Sequence, residues 1–121
     1  MSNPSKQKGT AFETLICAYL VERGFKAAHR TALSGGYDTG DINGIVNYHT
    51  DAEVAVQCKN QKKFDLSGWL EATITQAERL NNAVPVLVVK RPGKGANSRG
   101  ENYAVMRLSD VVSLLKEANY T

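Results

Sequence analysis

The sequence predicts a small α/β fold, a mixed β-sheet flanked by helices in the order α-β-β-β-α-β-β-α. Three observations carry that reading. Apolar residues recur at helical spacing in two separated stretches, near residues 12–20 and 66–80, and Ser109 can cap a third helix through Ala118. An early pair of strand-like segments is joined by a tight turn, the pattern of a hairpin. Between the second and third helical stretches lies VPVLVV, almost wholly apolar, the look of a strand covered on both faces. A hairpin followed by a crossover helix gives a sheet of mixed direction.

The first helix is expected from about Thr10 to Arg23, with Phe12, Leu15, Ile16, Tyr19 and Leu20 on its apolar side and Gly24 as its stop. Thr10-Ala-Phe-Glu13 fits a capping box at its start, and residues 1–9 read as a flexible lead-in. Phe25 to Arg30 is a candidate strand, and Ser34-Gly35-Gly36 with Thr39-Gly40 mark a glycine-rich connection. Asp41 to Tyr48 and Glu53 to Lys59 read as antiparallel partners around the turn His49-Thr50-Asp51-Ala52. A second helix is expected from about Ser67 to Asn82, burying Leu66, Leu70, Ile74, Ala77 and Leu80. Val84 to Val89 is the covered strand, Lys90 to Asn102 a loop, and Tyr103 to Leu108 a further strand. Ser109 is expected to cap a last helix through Ala118.

The chain has 121 residues, 42% apolar and 22% charged, which suits one globular domain spanning 1–121 and is too apolar for a disordered tail. Its longest apolar run, Ala83 to Val89, is interrupted by a proline and far shorter than a membrane span needs. MSNPSKQKGT lacks the apolar stretch of a secretory signal, so an intracellular protein is expected. Two cysteines, Cys17 and Cys58, exclude a disulfide framework and a four-cysteine zinc site, and both read as buried thiols. His29 and His49 have no partner at ligand spacing, and Trp69 near a helix start reads as core or interface.

The net charge is only +3, but the basic residues cluster: Lys6 and Lys8, then Lys59, Lys62 and Lys63, then Lys90, Arg91, Lys94 and Arg99. Three such clusters in a small fold can face a phosphate backbone, or simply be solvated. In Glu53-Val-Ala-Val-Gln-Cys-Lys59 side chains alternate, so Val54, Val56 and Cys58 form a core face. Ala55, Gln57 and Lys59 point the other way, beside the strand that starts with Asp41. A carboxylate, an amide oxygen and a lysine at neighbouring strand ends can hold a hard divalent cation with a water beside it. The alternative readings are a turn role for Asp41 and a solvated strand edge for Gln57 and Lys59.

Asp41-Ile-Asn-Gly followed by Val-Gln57-Cys58-Lys59-Asn60-Gln61 resembles the D…(D/E/Q)xK signature of the PD-(D/E)XK nuclease superfamily. Within it, the chain is most similar to the small archaeal-type Holliday junction resolvases and their phage relatives. The likeness extends to Gly9-Thr-Ala-Phe-Glu13, Arg30 followed by Ser34-Gly35, the helix carrying Gln76, and Val88-Val-Lys-Arg-Pro-Gly. It implies a restriction-endonuclease-like core and a metal-dependent endodeoxyribonuclease of recombination and repair. It also implies a homodimer acting on branched DNA in a prokaryotic or phage-infected cytoplasm. Carried onto this chain, it places Glu13, Asp41 and Gln57 around Mg²⁺ or Mn²⁺, joined by the backbone carbonyl of Cys58, with Lys59 positioning the attacking water. Many superfamily members have glutamate where Gln57 stands, so this site carries one negative charge fewer. The glutamine form occurs among relatives of the Mrr-type restriction nucleases.

Glu13 is thus claimed by two roles, helix capping and metal binding, which can coexist. Asp38 is the substitute ligand if the register differs, with a turn role as its alternative. Lys8, Arg30, Ser34, Lys62, Lys63, Lys90, Arg91 and Lys94 are the expected DNA contacts. Gln76 is placed to touch the metal-site water, although a plain solvent-facing role explains Arg30, Ser34 and Gln76 nearly as well. Two other functions fit the same residues: a general or Mrr-like restriction-type endonuclease, and a catalytically weak module that binds DNA structures without cutting them.

Overall fold

The computed structural model describes residues 3–32, 37–81 and 83–121. Its elements run α1 (Pro4–Glu22), β1 (His29–Arg30), β2 (Ile42–Val46), β3 (Glu53–Lys59), α2 (Leu66–Glu78), β4 (Val84–Val89), β5 (Tyr103–Val105) and α3 (Leu108–Glu117). A short 3₁₀ helix, Ala96–Glu101, lies between β4 and β5. The expected order of helices and strands is the observed one. The strands form one five-stranded sheet in the order β1-β2-β3-β4-β5, antiparallel except for the central β3–β4 pair, which is parallel. That parallel pair requires a crossover, and α2 supplies it.

Each face of the sheet is covered by one helix. Val56 and Cys58 of β3, with Ile42 of β2 and Ala28, pack against Phe12 and Ile16 of α1. On the opposite face Leu87 and Val89 of β4 pack against Trp69 of α2. Ile42, Ala55, Leu87 and Val89 are completely buried, so the core lies along β2, β3 and β4. The edges β1 and β5 are only two and three residues long, which leaves little open ladder for unwanted pairing. Among the described residues, no helix is long and apolar enough to cross a membrane.

The hairpin departs from regular pairing between Ile42 and Ile45, where Gly44 adopts φ +92°. A Cβ there would run into the Ala27 carbonyl and the His29 ring, so only glycine lets β1 lie against this bulge. The turn back to β3 is held by Asn47, whose side-chain oxygen accepts from the amides of His49 and Thr50.

Several boundaries differ from the sequence reading. α1 starts at Pro4 with Asn3 as its N-cap, its side-chain oxygen accepting from the Ser5 amide, so residues 4–9 are helical. Thr10 and Glu13 therefore lie inside the helix and form no capping box. The strand expected over Phe25–Arg30 shrinks to its last two residues, β2 begins one residue after Asp41, and β5 ends at Val105. α2 stops at Glu78 and turns Trp69, Thr73, Gln76 and Ala77 inward, while the expected Leu66 is exposed. α3 is capped by Arg107 rather than Ser109 and buries no side chain completely, leaving Leu108, Val112 and Leu115 exposed. Asn82 and Ser34-Gly35-Gly36, expected as part of a glycine-rich connection, lie outside the described residues.

Candidate active site

One cleft gathers the residues on which the motif rests. It encloses about 930 Å³ between the N-terminal half of α1, the end of β1, the start of β2 and the C-terminal end of β3. Glu13, Asp41, Gln57, Cys58 and Lys59 all line it, together with Arg30 and the ammonium-bearing Lys6, Lys8 and Lys62. The sequence brings them together for separable reasons. The parallel β3–β4 pair fixes the end of β3, the hairpin sets Asp41 beside it, and the early start of α1 carries Lys6, Lys8 and Glu13 along the rim.

Asp41 is the most tightly positioned of these. Its amide donates to the Val56 carbonyl at 2.8 Å, and its carbonyl accepts from the Thr31 amide at 2.9 Å. Its Oδ2 accepts from the Cys58 amide at 2.8 Å. The chain can enter this position because Gly40 adopts φ +107°, and a Cβ on Gly40 would sit 3.1 Å from the Val56 carbonyl oxygen. Asp41 thus closes a turn, as one alternative had it, while presenting its carboxylate to the cleft. Burial pushes that carboxyl up to about 6 against the opposing Cys58 hydrogen bond. The charges of Glu13 and Asp38 add to the rise and Lys59 counters it.

Gln57 is buried, and among the described residues its side-chain oxygen has no hydrogen-bond partner. A buried amide oxygen without a donor is costly, and such a group calls for an ion or water. Lys59 is only partly buried and holds its ammonium 6.0 Å from the centre of the Trp69 ring. Glu13, midway along α1, lies 3.6 Å from the Arg30 guanidinium, so it faces the cleft instead of the helix terminus. The Cys58 thiol is held well above the ordinary thiol range, chiefly by burial and then by the Asp41 and Glu13 charges, which makes it a poor nucleophile.

These donors fit a hard divalent cation. Among the described residues, no three His, Cys, Asp or Glu side chains are arranged to hold a metal ion alone. A site here would therefore draw on neutral oxygens, and the Gln57 oxygen, which lines the same cleft as Asp41, is such a donor.

The other expected residues are placed elsewhere. Asp38 accepts from the Gly40 amide at 2.9 Å and from Gln76 Nε2 at 2.9 Å, and its own carbonyl accepts from Arg79. It anchors a turn onto the end of α2, and Gln76 is its buried partner through Nε2 alone, its Oε1 having no partner among the described residues; neither lines the cleft. Lys90 donates to the carbonyls of Arg91 and Lys94, holding its own loop together. Arg99 is paired with Glu22 of α1. Lys63, Arg91 and Lys94 do not line the cleft, and Ser34 falls outside the described residues. Lys6 was missing from the expected contacts although its signal was present: Asn3-Pro4 is a helix start, and it puts Lys6 and Lys8 on the same helix as Glu13.

No curated protein and no solved structure matches the chain significantly. A family model described as "Phage putative PDDEXK endonuclease" matches residues 4–121, nearly the whole chain. Nucleases of the PD-(D/E)XK type generally depend on divalent metal. The Asp41, Gln57 and Lys59 cluster on a mixed sheet and the match along the chain agree, and the protein belongs to this phage PDDEXK endonuclease family.

Proposed function

We propose that the protein is a divalent-metal-dependent endonuclease that hydrolyses DNA phosphodiesters and resolves branched, four-way DNA. The observation that carries the reading is the convergence of Asp41, Gln57 and Lys59 at one end of a basic cleft, with the Gln57 oxygen unpartnered. Asp41, the Gln57 amide oxygen and Glu13 would hold Mg²⁺ or Mn²⁺, completed by the Cys58 backbone carbonyl. When bound, such a cation supplies a polarised scissile phosphate and a water of lowered pKa. Lys59 would orient the attacking water and offset the negative charge that builds on the phosphoryl oxygens. Arg30 meets a phosphate oxygen, and Lys6, Lys8 and Lys62 hold the backbone without reading sequence.

Paired nicks across a junction need two active sites in fixed geometry, which a two-fold homodimer supplies. The exposed Leu108, Val112 and Leu115, spaced as one seam of α3, support a second copy packing there. Sedimentation at micromolar concentration should give a dimer, and a monomer on the junction would count against paired cutting.

The test is to incubate the protein with labelled four-way junction, flap and linear duplex, in Mg²⁺, in Mn²⁺ and in chelator. Metal-dependent, paired cuts confined to the junction support the reading. Equal cutting of linear duplex would assign a restriction-type endonuclease instead, and binding without cutting in either metal would assign a DNA-binding module.

A further inference from the structure

Beyond the cleft, a line of aromatic rings leads away from Lys59. The Lys59 ammonium lies 6.0 Å from the Trp69 ring centre. The Trp69 and Phe64 rings are 6.1 Å apart, and Phe64 meets Tyr103 edge-on at 6.2 Å. The Arg91 guanidinium stands 5.7 Å from the Tyr103 ring centre and pairs with Glu101 at 3.9 Å. Trp69 is buried, but Phe64 and Tyr103 are 38% and 41% exposed. These large rings come from different elements, the loop before α2 and the edge strand β5, and they form one ledge. Residues 59–62 are themselves cleft wall, so the segment reaching Phe64 is continuous with the site.

We propose that this ledge binds an unpaired nucleobase of the nucleic acid held in the cleft, a few nucleotides from the scissile phosphate. The inference rests on the endonuclease reading and adds to it a device for selecting DNA structure. Half-exposed rings with Arg91 over one of them, and Lys62 and Lys63 just before Phe64 in the chain, combine a π surface with charges that attract phosphate, the pairing used to hold single strands. A paired base offers no free face, because its neighbours already cover it, and only its edges are open in the grooves. An extruded or single-stranded base has both faces free.

The experiment reads binding in chelator, without cleavage. Trp69 is the only tryptophan, and its contact with Phe64 makes its emission a reporter of the ledge. The probes are a perfect duplex and the same duplex carrying one unpaired thymine. The proposal predicts about tenfold tighter binding of the bulged duplex, accompanied by a change in Trp69 emission. Phe64→Leu and Tyr103→Leu should bring the ratio of the two affinities close to one, while Phe64→Tyr and Tyr103→Phe, which keep a ring, should preserve the preference. Melting curves on all four variants confirm that each is folded.

Equal wild-type affinity for both duplexes would overturn the proposal, as would a leucine variant that keeps the preference. A leucine variant that keeps the preference but turns a dimer into a monomer would reassign the rings to a protein interface. Failure of the ledge is distinct from failure of the nuclease reading: a wild-type protein that cuts DNA with metal but ignores the bulge loses only the ledge. One that binds neither duplex and cuts no DNA loses both.

Discussion

The two halves of β3 share one strand, one parallel neighbour and an unbroken register, yet they are built for opposite ends. From Val54 to Val56 the strand is apolar, with Ala55 fully buried and Val56 packed among Ile42, Phe12 and Ile16. From Gln57 to Lys59 the same ladder carries a buried amide oxygen with no partner, a backbone amide bound to the Asp41 carboxylate, and an ammonium. Beneath both halves run the buried residues of β4, paired Gln57 with Leu87 and Lys59 with Val89. Polar groups that cost stability are thus fixed on a backbone as rigid as the core itself, the arrangement a site needs to place donors for an ion.

Substitutions of side chains that pack or bond to each half should therefore separate cleavage from stability. The largest effect is expected from Asp41→Asn, which keeps the shape of the side chain but removes the charge facing the cation. Cleavage at saturating metal should fall by about a thousandfold or more, roughly 4 kcal/mol of barrier, in a gel assay on the preferred substrate. Wild-type turnover by this variant would remove Asp41 from the site.

Ile16→Ala probes the apolar half through the side chain that packs in the cluster with Val56. It should cost about 3 kcal/mol of folding stability, read by urea denaturation, while the metal concentration for half-maximal cleavage stays put. Equal loss in both would mean that the two halves are not separable.

Asp41 should also show the cost of the site directly. Its carboxyl sits at about 6 in the fold against an ordinary 3.8, because burial disfavours the charged form. The folded chain therefore holds this proton more tightly than the unfolded chain does. Its contribution is fully present below about pH 4 and is lost as the pH rises to about 6. In chelator at pH 7, Asp41→Asn should accordingly be more stable than wild type by about 2 kcal/mol, with a flatter stability profile between pH 4 and 6. A destabilised variant would mean that the Cys58 hydrogen bond outweighs burial.

A smaller effect is expected on the rim. Changing Lys6, Lys8 and Lys62 to alanine should weaken binding of all DNA shapes and lower the dependence of log affinity on log salt by about one unit per lost contact. Filter binding between low and moderate salt reads this, and an unchanged slope would return these lysines to solvent.

How much of this was legible beforehand differs residue by residue. β3 was readable to the residue because a turn precedes it and polar chain follows it. The Asp41, Gln57 and Lys59 cluster followed from that strand and the hairpin. Glu13 was assigned to the cleft by resemblance but also to a capping box, since Thr10-x-x-Glu13 mimics a helix start that Asn3-Pro4 had already supplied. The inward stripe of α2 was misplaced because leucines outweigh threonine and glutamine in any apolar pattern. Thr73 nonetheless buries with its hydroxyl donating to the Trp69 carbonyl, and Gln76 buries against Asp38. That last pair spans 38 positions, and no local spacing announces it. Nor did the sequence announce the Phe64 and Tyr103 ledge, which exists only because the edge strand returns beside the start of α2.

The central claim is that the polar end of β3 holds the cation that drives hydrolysis, with Gln57 as one of its ligands and Lys59 outside that set. A metal titration of cleavage by wild type, Gln57→Glu, Gln57→Ala and Lys59→Ala tests it most directly. The account predicts that the metal midpoint moves several-fold lower for Gln57→Glu, where a carboxylate attracts a hard cation more strongly than an amide. It should move several-fold higher for Gln57→Ala and stay near wild type for Lys59→Ala, whose maximal rate alone should collapse. A midpoint indifferent to both Gln57 substitutions would contradict the account and take that side chain out of the metal site.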